Sequence, residues 1–281
     1  MSTLIDDAAR RLRANPAAMC ALVVILSIVA LTLIGPWFNP NGSETLDWSH
    51  VASQPAWASA HWFGTDRLGR DLFVRTLAGT RVSLAIGLAA SAVSLLVGVT
   101  YGAIAGYIGG RTDHLMMRLI EILSGLPLIF FVIFLTVIFG RSEYLLFFAI
   151  GAVGWLTMAR IVRGQTLSVR QMEFIEAAIA SGASTGRIIL RHVVPNVIGP
   201  VIVYATLTVP QIILLESFLS FLGLGIQEPG ASLGTLIAEG AAEMEAAPWI
   251  LLVPGSFLAL LLLSLNIFGD GLRDALDVKD G

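Results

Sequence analysis

The sequence predicts an all-α integral membrane protein with six transmembrane helices and both termini cytoplasmic. Three observations predict it. Of 281 residues, 56% are hydrophobic and 13% charged, whereas an average soluble domain carries about a quarter charged residues. Six apolar stretches reach or approach the roughly 20 residues that a spanning helix needs. With the N-terminus inside, twelve of the seventeen basic residues fall in the inner segments, as the bias of basic loops towards the cytoplasm requires. The five left outside are Arg67, Arg70, Arg75, Arg81 and Arg141.

The first span, residues 17–34, follows Arg10, Arg11 and Arg13, as a signal peptide would. Its apolar run is long for a signal and ends at Ile34-Gly35-Pro36-Trp37 without a small-residue cleavage site, so it reads as an uncleaved helix. The second span covers 82–107. The third, 119–139, contains Glu121, the one clear ionisable side chain in the spans. The fourth, 144–158, is short and runs on to Val162 with Arg160 snorkelling at the interface. The fifth and sixth cover 197–215 and 249–268. Outer loops at 35–81 and 216–248 and an inner loop at 160–196 connect them. Residues 1–60 thus hold the N-terminal tail, the first span and the start of the first outer loop, and 61–281 hold the remaining transmembrane domain.

Several function classes are excluded. A net charge of -3 leaves no basic face for nucleic acid. Cys20, the one cysteine, excludes an internal disulfide and reads as a small packed hydrophobe. The one lysine is Lys279, so a P-loop has no lysine for the nucleotide phosphates. Gly223-Leu224-Gly225 lacks the third glycine and the preceding strand of a dinucleotide fingerprint. His50, His61, His114 and His192 stand far apart in sequence, mostly in loops, and no metal site is expected. Spans so poor in acids, bases and histidines argue against proton or sodium coupling. The chain is expected to be no catalyst.

Two features carry more. Ala90, Ser94, Gly98, Gly102 and Gly106 recur every fourth residue, lining one helix face where another backbone can approach closely. Pro127, Pro200, Pro210 and Pro254 interrupt spans, which suits a moving pathway and a static bundle equally. In the inner loop, residues 171–184 read as a helix of about three turns ended by Gly182. Ser184 or Thr185 caps a second short helix running to His192, which Pro195 ends. Glu176 beside Ala177 and Ala178 gives an acid next to a small-residue notch. Such a face can dock into a basic groove of another protein, or it can be a solvated hairpin.

At these residues a family resemblance enters. Glu176-Ala177-Ala178, Gly182, His192 and Pro195 resemble the EAA loop of ABC importer membrane subunits. The stretches 64–71 (with Gly64, Asp66, Gly69, Arg70 and Asp71), 216–225 and 269–277 resemble the C-type permease of the dipeptide/oligopeptide/nickel family. Residues 227–234 depart from that family's more proline-rich segment. The likeness runs from about residue 60 to the end and leaves the first helix generic.

The resemblance implies a type I ABC importer permease in a bacterial inner membrane. Its partners are a B-type permease, ATP-binding subunits that hold ATP and Mg, an extracytoplasmic solute-binding protein and the lipid bilayer. This chain itself carries no cofactor. The helix at Glu176 becomes the coupling helix, with Ala177 and Ala178 allowing close approach, Gly182 fixing the turn, and His192 and Pro195 setting the return to the membrane. Asp66, Arg70 and Asp71 face the binding protein or partner permease, or else Arg70 and Asp71 pair with each other. The implied cargo is a di- or oligopeptide, with nickel complexes, glutathione and other small solutes as alternatives. The rival classes are a stand-alone carrier or channel, which needs pore-lining charges, and a structural membrane protein, which gives no reason for the acid-plus-alanine helix.

Overall fold

The computed structural model describes residues 2–38, 42–56, 61–139 and 143–276. Arg141, Asp277 and Lys279 lie outside them. The described residues are helical apart from turns, loops and one isolated bridge between Thr65 and Asp71. In order, the helices are α1 (Ser2–Ala14), α2 (Pro16–Phe38), α3 (Leu72–Ile108), α4 (Gly110–Ser124), α5 (Leu128–Phe139), α6 (Glu143–Val169), α7 (Glu173–Ala180), α8 (Thr185–Ile188), α9 (Val194–Phe221), α10 (Leu233–Ala242) and α11 (Trp249–Leu276). A π turn, Ile189–Val193, joins α8 to α9.

Among the described residues, five helical stretches are long and apolar enough to cross a membrane. The sixth candidate is the pair α4 and α5, bent by 81°. The sequence places one span over 119–139, interrupted at Pro127, and the structure breaks it there into two helices. Pro127 has no N–H to donate and disfavours a helical Leu126, so the apolar run breaks there.

Two helices are longer than expected. α3 begins at Leu72, where Asp71 caps it by accepting the Val74 N–H at 2.9 Å. Its 37 residues span about 55 Å, well beyond a hydrocarbon core of about 30 Å. The additional turns carry Arg75 and Arg81, which the sequence places in a loop. α9 likewise continues to Phe221, so Glu216, expected to open an outer loop, is a fully buried helical residue.

Pro195 does not end a helix. The π turn shifts the hydrogen-bond register, with the Val194 N–H bonding to the Ile189 carbonyl. Pro195 then falls in the first turn of α9, where its missing donor costs nothing. Asn196 Nδ2 donates to the His192 carbonyl at 2.6 Å.

The bundle is built around α3. Its small-residue face lies against α6: a methyl group added at Gly98 would stand 2.6 Å from Met158 Cβ, and one at Gly102 2.4 Å from the Ala159 carbonyl oxygen. Ser94 lies against Gly154, and Gly106 against Thr166. α2 meets α11 where Gly271 abuts Ala18, which puts the start of α2 and the end of α11 at one end of the bundle. Cys20 is exposed on α2 rather than packed, because only one side of that helix meets the bundle.

Candidate functional site

At one end of the bundle, α7 and α8 form a hairpin. Ile175 inserts into a core made by Val99 and Ala103 of α3, Met158 and Val162 of α6, Ile188 of α8, and Val197 and Val201 of α9. Ile175 is fully buried, whereas Glu176 and Ala177 are exposed and Ala178 is half-buried against that core. Met172, Phe174 and Ile179 are also exposed, giving the acid an apolar surround. The hairpin turn is a Schellman motif. The Gly182 N–H bonds to the Ile179 carbonyl at 2.9 Å and the Ala183 N–H to the Ala178 carbonyl at 3.1 Å. That closure needs a left-handed residue, and Gly182 has φ +78°. α7 is 8 residues, shorter than the three turns expected. Ser184 precedes α8 but makes no side-chain cap bond. His192 stacks near Phe174, with ring centroids 6.5 Å apart. Close by along α6, Arg163 holds Asp113 of α4 with both carboxylate oxygens, Nη2 to Oδ2 at 2.6 Å.

At the other end, a polar network ties the segment before α3 to α10. The Asp66 carboxylate accepts the Leu68 N–H at 2.8 Å, the Arg70 N–H at 2.9 Å, and Arg70 Nε. Arg70 also reaches Glu228 at 3.3 Å, and Arg75 Nη2 reaches Glu239 at 3.1 Å. The Glu239 carboxyl lies above its ordinary value because burial outweighs the neighbouring Arg75 and Arg70. For Arg70, burial alone would lower the pKa, yet the hydrogen bond and charge of Asp66 hold it above its ordinary value. Deeper in, Glu216 accepts hydroxyl hydrogens from Ser83 at 2.8 Å and Ser220 at 2.7 Å. Ser83 Oγ in turn accepts the Leu233 N–H at 3.2 Å, so α9, α3 and α10 share one hydrogen-bond chain.

The same end brings together two histidines that the sequence separates. His50 and His61 have ring centroids 5.6 Å apart, with Asp47 between them. Hydrogen bonds from the Ser49 hydroxyl, His50 and the Ser49 N–H hold the Asp47 carboxyl below the usual carboxylate range. His61 takes its place in this cluster with Nδ1 held 2.8 Å from Asp71 at the start of α3, a contact that separation in sequence does not announce.

Comparison with known proteins decides the family. The family described as binding-protein-dependent transport system inner membrane component matches residues 98–279. The N-terminal transmembrane domain of oligopeptide transport permease C matches residues 3–56. The chain is 53% identical over 278 residues to the oligopeptide transport system permease protein OppC of Haemophilus influenzae, covering 99% of this chain and 89% of that protein. It is 52% identical over 278 residues to OppC of Escherichia coli K12, covering 99% and 92%. It is 45% identical over 275 residues to the dipeptide transport system permease protein DppC of Bacillus subtilis, covering 98% and 85%. The chain belongs to the OppC-type family of ABC importer permeases. A chain of the inward-facing MetNI methionine ABC transporter shares the fold, with a TM-score of 0.57 at 17% identity over 72% of this chain and 96% of that one.

In this permease the first helix is not generic, since the family match reaches back to residue 3. Glu176, Ala177, Ala178 and Gly182 share the hairpin, while His192 and Pro195 stand at its root. Ser94, Gly98, Gly102 and Gly106 lie along the α3–α6 seam. The outer-motif residues correct two expectations. Asp66, Arg70 and Asp71 are 1%, 3% and 1% exposed, so they brace the chain internally rather than present a docking surface. Nor do Arg70 and Asp71 pair: Arg70 binds Asp66, and Asp71 binds His61 Nδ1 at 2.8 Å. Gly64 and Gly69 shape this turn, and a side chain at Gly69 would collide with the Asp47 carbonyl. The sequence missed Glu216, Glu239 and Arg75, whose partners lie up to 169 positions away.

Proposed function

We propose that this chain is the C-type permease of an ATP-driven peptide importer, forming half of the translocation pathway and taking its power stroke through α7. One observation carries the reading: α7 presents exposed Glu176 on one side and roots Ile175 in the core joining α3, α6 and α9 on the other. A push on the exposed side is thereby delivered to three membrane helices at once. Glu176 meets a basic residue in a groove of the ATP-binding subunit, and Met172, Phe174 and Ile179 fill its apolar walls. ATP and Mg belong to that subunit, and this chain is the non-catalytic part. ATP moves the bundle only in so far as it favours one arrangement of the assembly over the other.

The hairpin end is cytoplasmic in this reading, together with both termini. The basic-residue bias and the contact of Ala18 with Gly271 support that orientation. The partners are a B-type permease and an extracytoplasmic solute-binding protein. A di- or oligopeptide is the cargo, supported by the names of the OppC and DppC relatives. A small cavity of about 160 Å³ lies between α6 and α9. Thr157, Tyr204, Thr208 and Gln211 supply polar groups in its otherwise apolar wall.

The deciding experiment is a mild-detergent pull-down of the tagged chain from native membranes, followed by peptide uptake in vesicles of the recovered assembly. Co-purification of an ATP-binding subunit and a second permease, with ATP-dependent uptake, is the expected result. A reproducibly solitary chain that moves solute without ATP would overturn the reading.

A further inference from the structure

We propose that Asp47, His50 and His61 form a binding site for a divalent transition metal of the zinc class, clamping the segment before α3 onto the start of that helix. Their ligand atoms all lie within 4.8 Å of one another. Asp47 Oδ2 is 2.8 Å from His50 Nδ1 and 3.7 Å from His61 Nε2. Metal–ligand bonds of about 2.0–2.1 Å place tetrahedral ligand atoms about 3.3 Å apart. The two spacings from Asp47 bracket that value and the ring nitrogens lie within 4.8 Å of each other, so a cation fits once side-chain rotations draw the two rings together.

The arms are already aimed. His61 is buried, and its Nδ1 lies 2.8 Å from Asp71 Oδ2, whose side chain is fully buried and caps α3. That contact turns Nε2 towards Asp47, the carboxylate–histidine arrangement that orients metal-binding imidazoles. On Asp47, Oδ1 accepts the Ser49 N–H at 3.0 Å and the Ser49 hydroxyl, leaving Oδ2 for the two rings. The His50 carbonyl accepts the Thr65 hydroxyl, so the backbone of this ligand is fixed as well. A loop held only for its own stability would need none of these ligand atoms to converge.

The donor set selects the ion. Two imidazole nitrogens and one carboxylate oxygen suit zinc and its neighbours in the transition series, whereas calcium and magnesium take oxygen ligands. Asp47 and the Asp71 behind His61 together carry the two negative charges that balance a divalent cation. Three protein ligands leave a fourth position for water, and the side chains of Asp47 and His50 are 39% and 54% exposed, so an ion can enter from solvent. The site stands independently of the transport reading, and its test reads binding rather than uptake.

The full chain, purified in detergent and stripped with a chelator, is titrated with Zn²⁺ by calorimetry and with Co²⁺ by visible absorption. Stoichiometric, saturable binding with the visible band of four-coordinate Co²⁺ is expected. His50→Ala and Asp47→Asn should each weaken it by at least about tenfold, and His114→Ala, remote from the cluster, should leave it unchanged. Both test positions are partly solvent-exposed, and elution of each variant as a single species shows that it remains folded. The absence of saturable binding to the wild-type chain would overturn the proposal, and so would equal affinity in wild type and His50→Ala.

Discussion

Ile175 and Glu176 are consecutive residues of α7, one wholly buried in the core of three membrane helices and the other open to solvent. The packing residue and the exposed acid therefore sit one peptide bond apart and can be changed separately. Glu176→Lys reverses the charge offered to a partner and leaves the packing alone. Membrane insertion and thermal stability should match wild type, while ATP hydrolysis by the assembly proceeds without uptake. Ile175→Ala should instead destabilise the chain by about 2–5 kcal/mol. Reconstituted vesicles measured for ATP turnover and uptake side by side check both; normal uptake by a well-expressed Glu176→Lys protein removes the coupling role.

Two glycines should fail for different reasons. At Gly182 an added methyl group meets nothing within 4 Å, but φ is +78°. Gly182→Ala should therefore cost roughly 1–2 kcal/mol of backbone strain. At Gly102 the added methyl group would lie 2.4 Å from the Ala159 carbonyl oxygen, so α3 and α6 must part along their whole seam. Gly102→Ala should lower the melting temperature in detergent more than Gly182→Ala does. A reversed order would show that the seam yields easily.

The contrast explains what was legible in the sequence. The small-residue face on α3 has a four-residue period, and Gly182 follows a short amphipathic run; both are local patterns that can be read without knowing the partner helix. The break at Pro127 is local too, yet apolar residues on both sides disguise it as one span. Glu216 and Arg75 were misplaced because a charge next to an apolar run looks like its end. Their true setting depends on Ser83, 133 positions from Glu216, and on Glu239, 164 positions from Arg75. Asp47, His50 and His61 are likewise brought together by a fold-back that no periodicity announces.

The network at Arg70 and Arg75 gives a pH prediction with a definite sign. Burial raises the Glu239 pKa above 4.5 despite its two guanidinium neighbours, so the folded chain binds this proton more tightly than the unfolded chain. The contribution of Glu239 to stability is therefore greatest below pH 4.5 and falls as pH rises through its raised value. Glu239→Gln should flatten that part of the melting profile while keeping stability at neutral pH, since Arg70 and Arg75 retain Asp66. Arg75→Met leaves Arg70 to serve both Asp66 and Glu239 and should cost up to about 3 kcal/mol. Melting curves of the three proteins across pH 4 to 8 test the sign, and an unaltered slope in Glu239→Gln would assign the pH dependence to another group.

Glu216 sets a stricter test, because among the described residues its partners are hydroxyls and no cation pairs with it. Ser83 and Ser220 both donate to it, and Ser83 also receives the Leu233 N–H that starts α10. Glu216→Leu fills the space but orphans the buried hydroxyls of Ser83, Ser217 and Ser220, at roughly 1–3 kcal/mol for each of the two closer ones, Ser83 and Ser220. Glu216→Gln keeps one acceptor oxygen and should lose about half as much. If the chain of bonds acts as a unit, Ser83→Ala and Glu216→Leu will not add when combined, since each already breaks the link between α3 and α9. Strict additivity in a double-mutant cycle of melting free energies would mean that α10 is held by the apolar contacts of its own Leu233 and Leu236, and that the carboxylate merely fills its site.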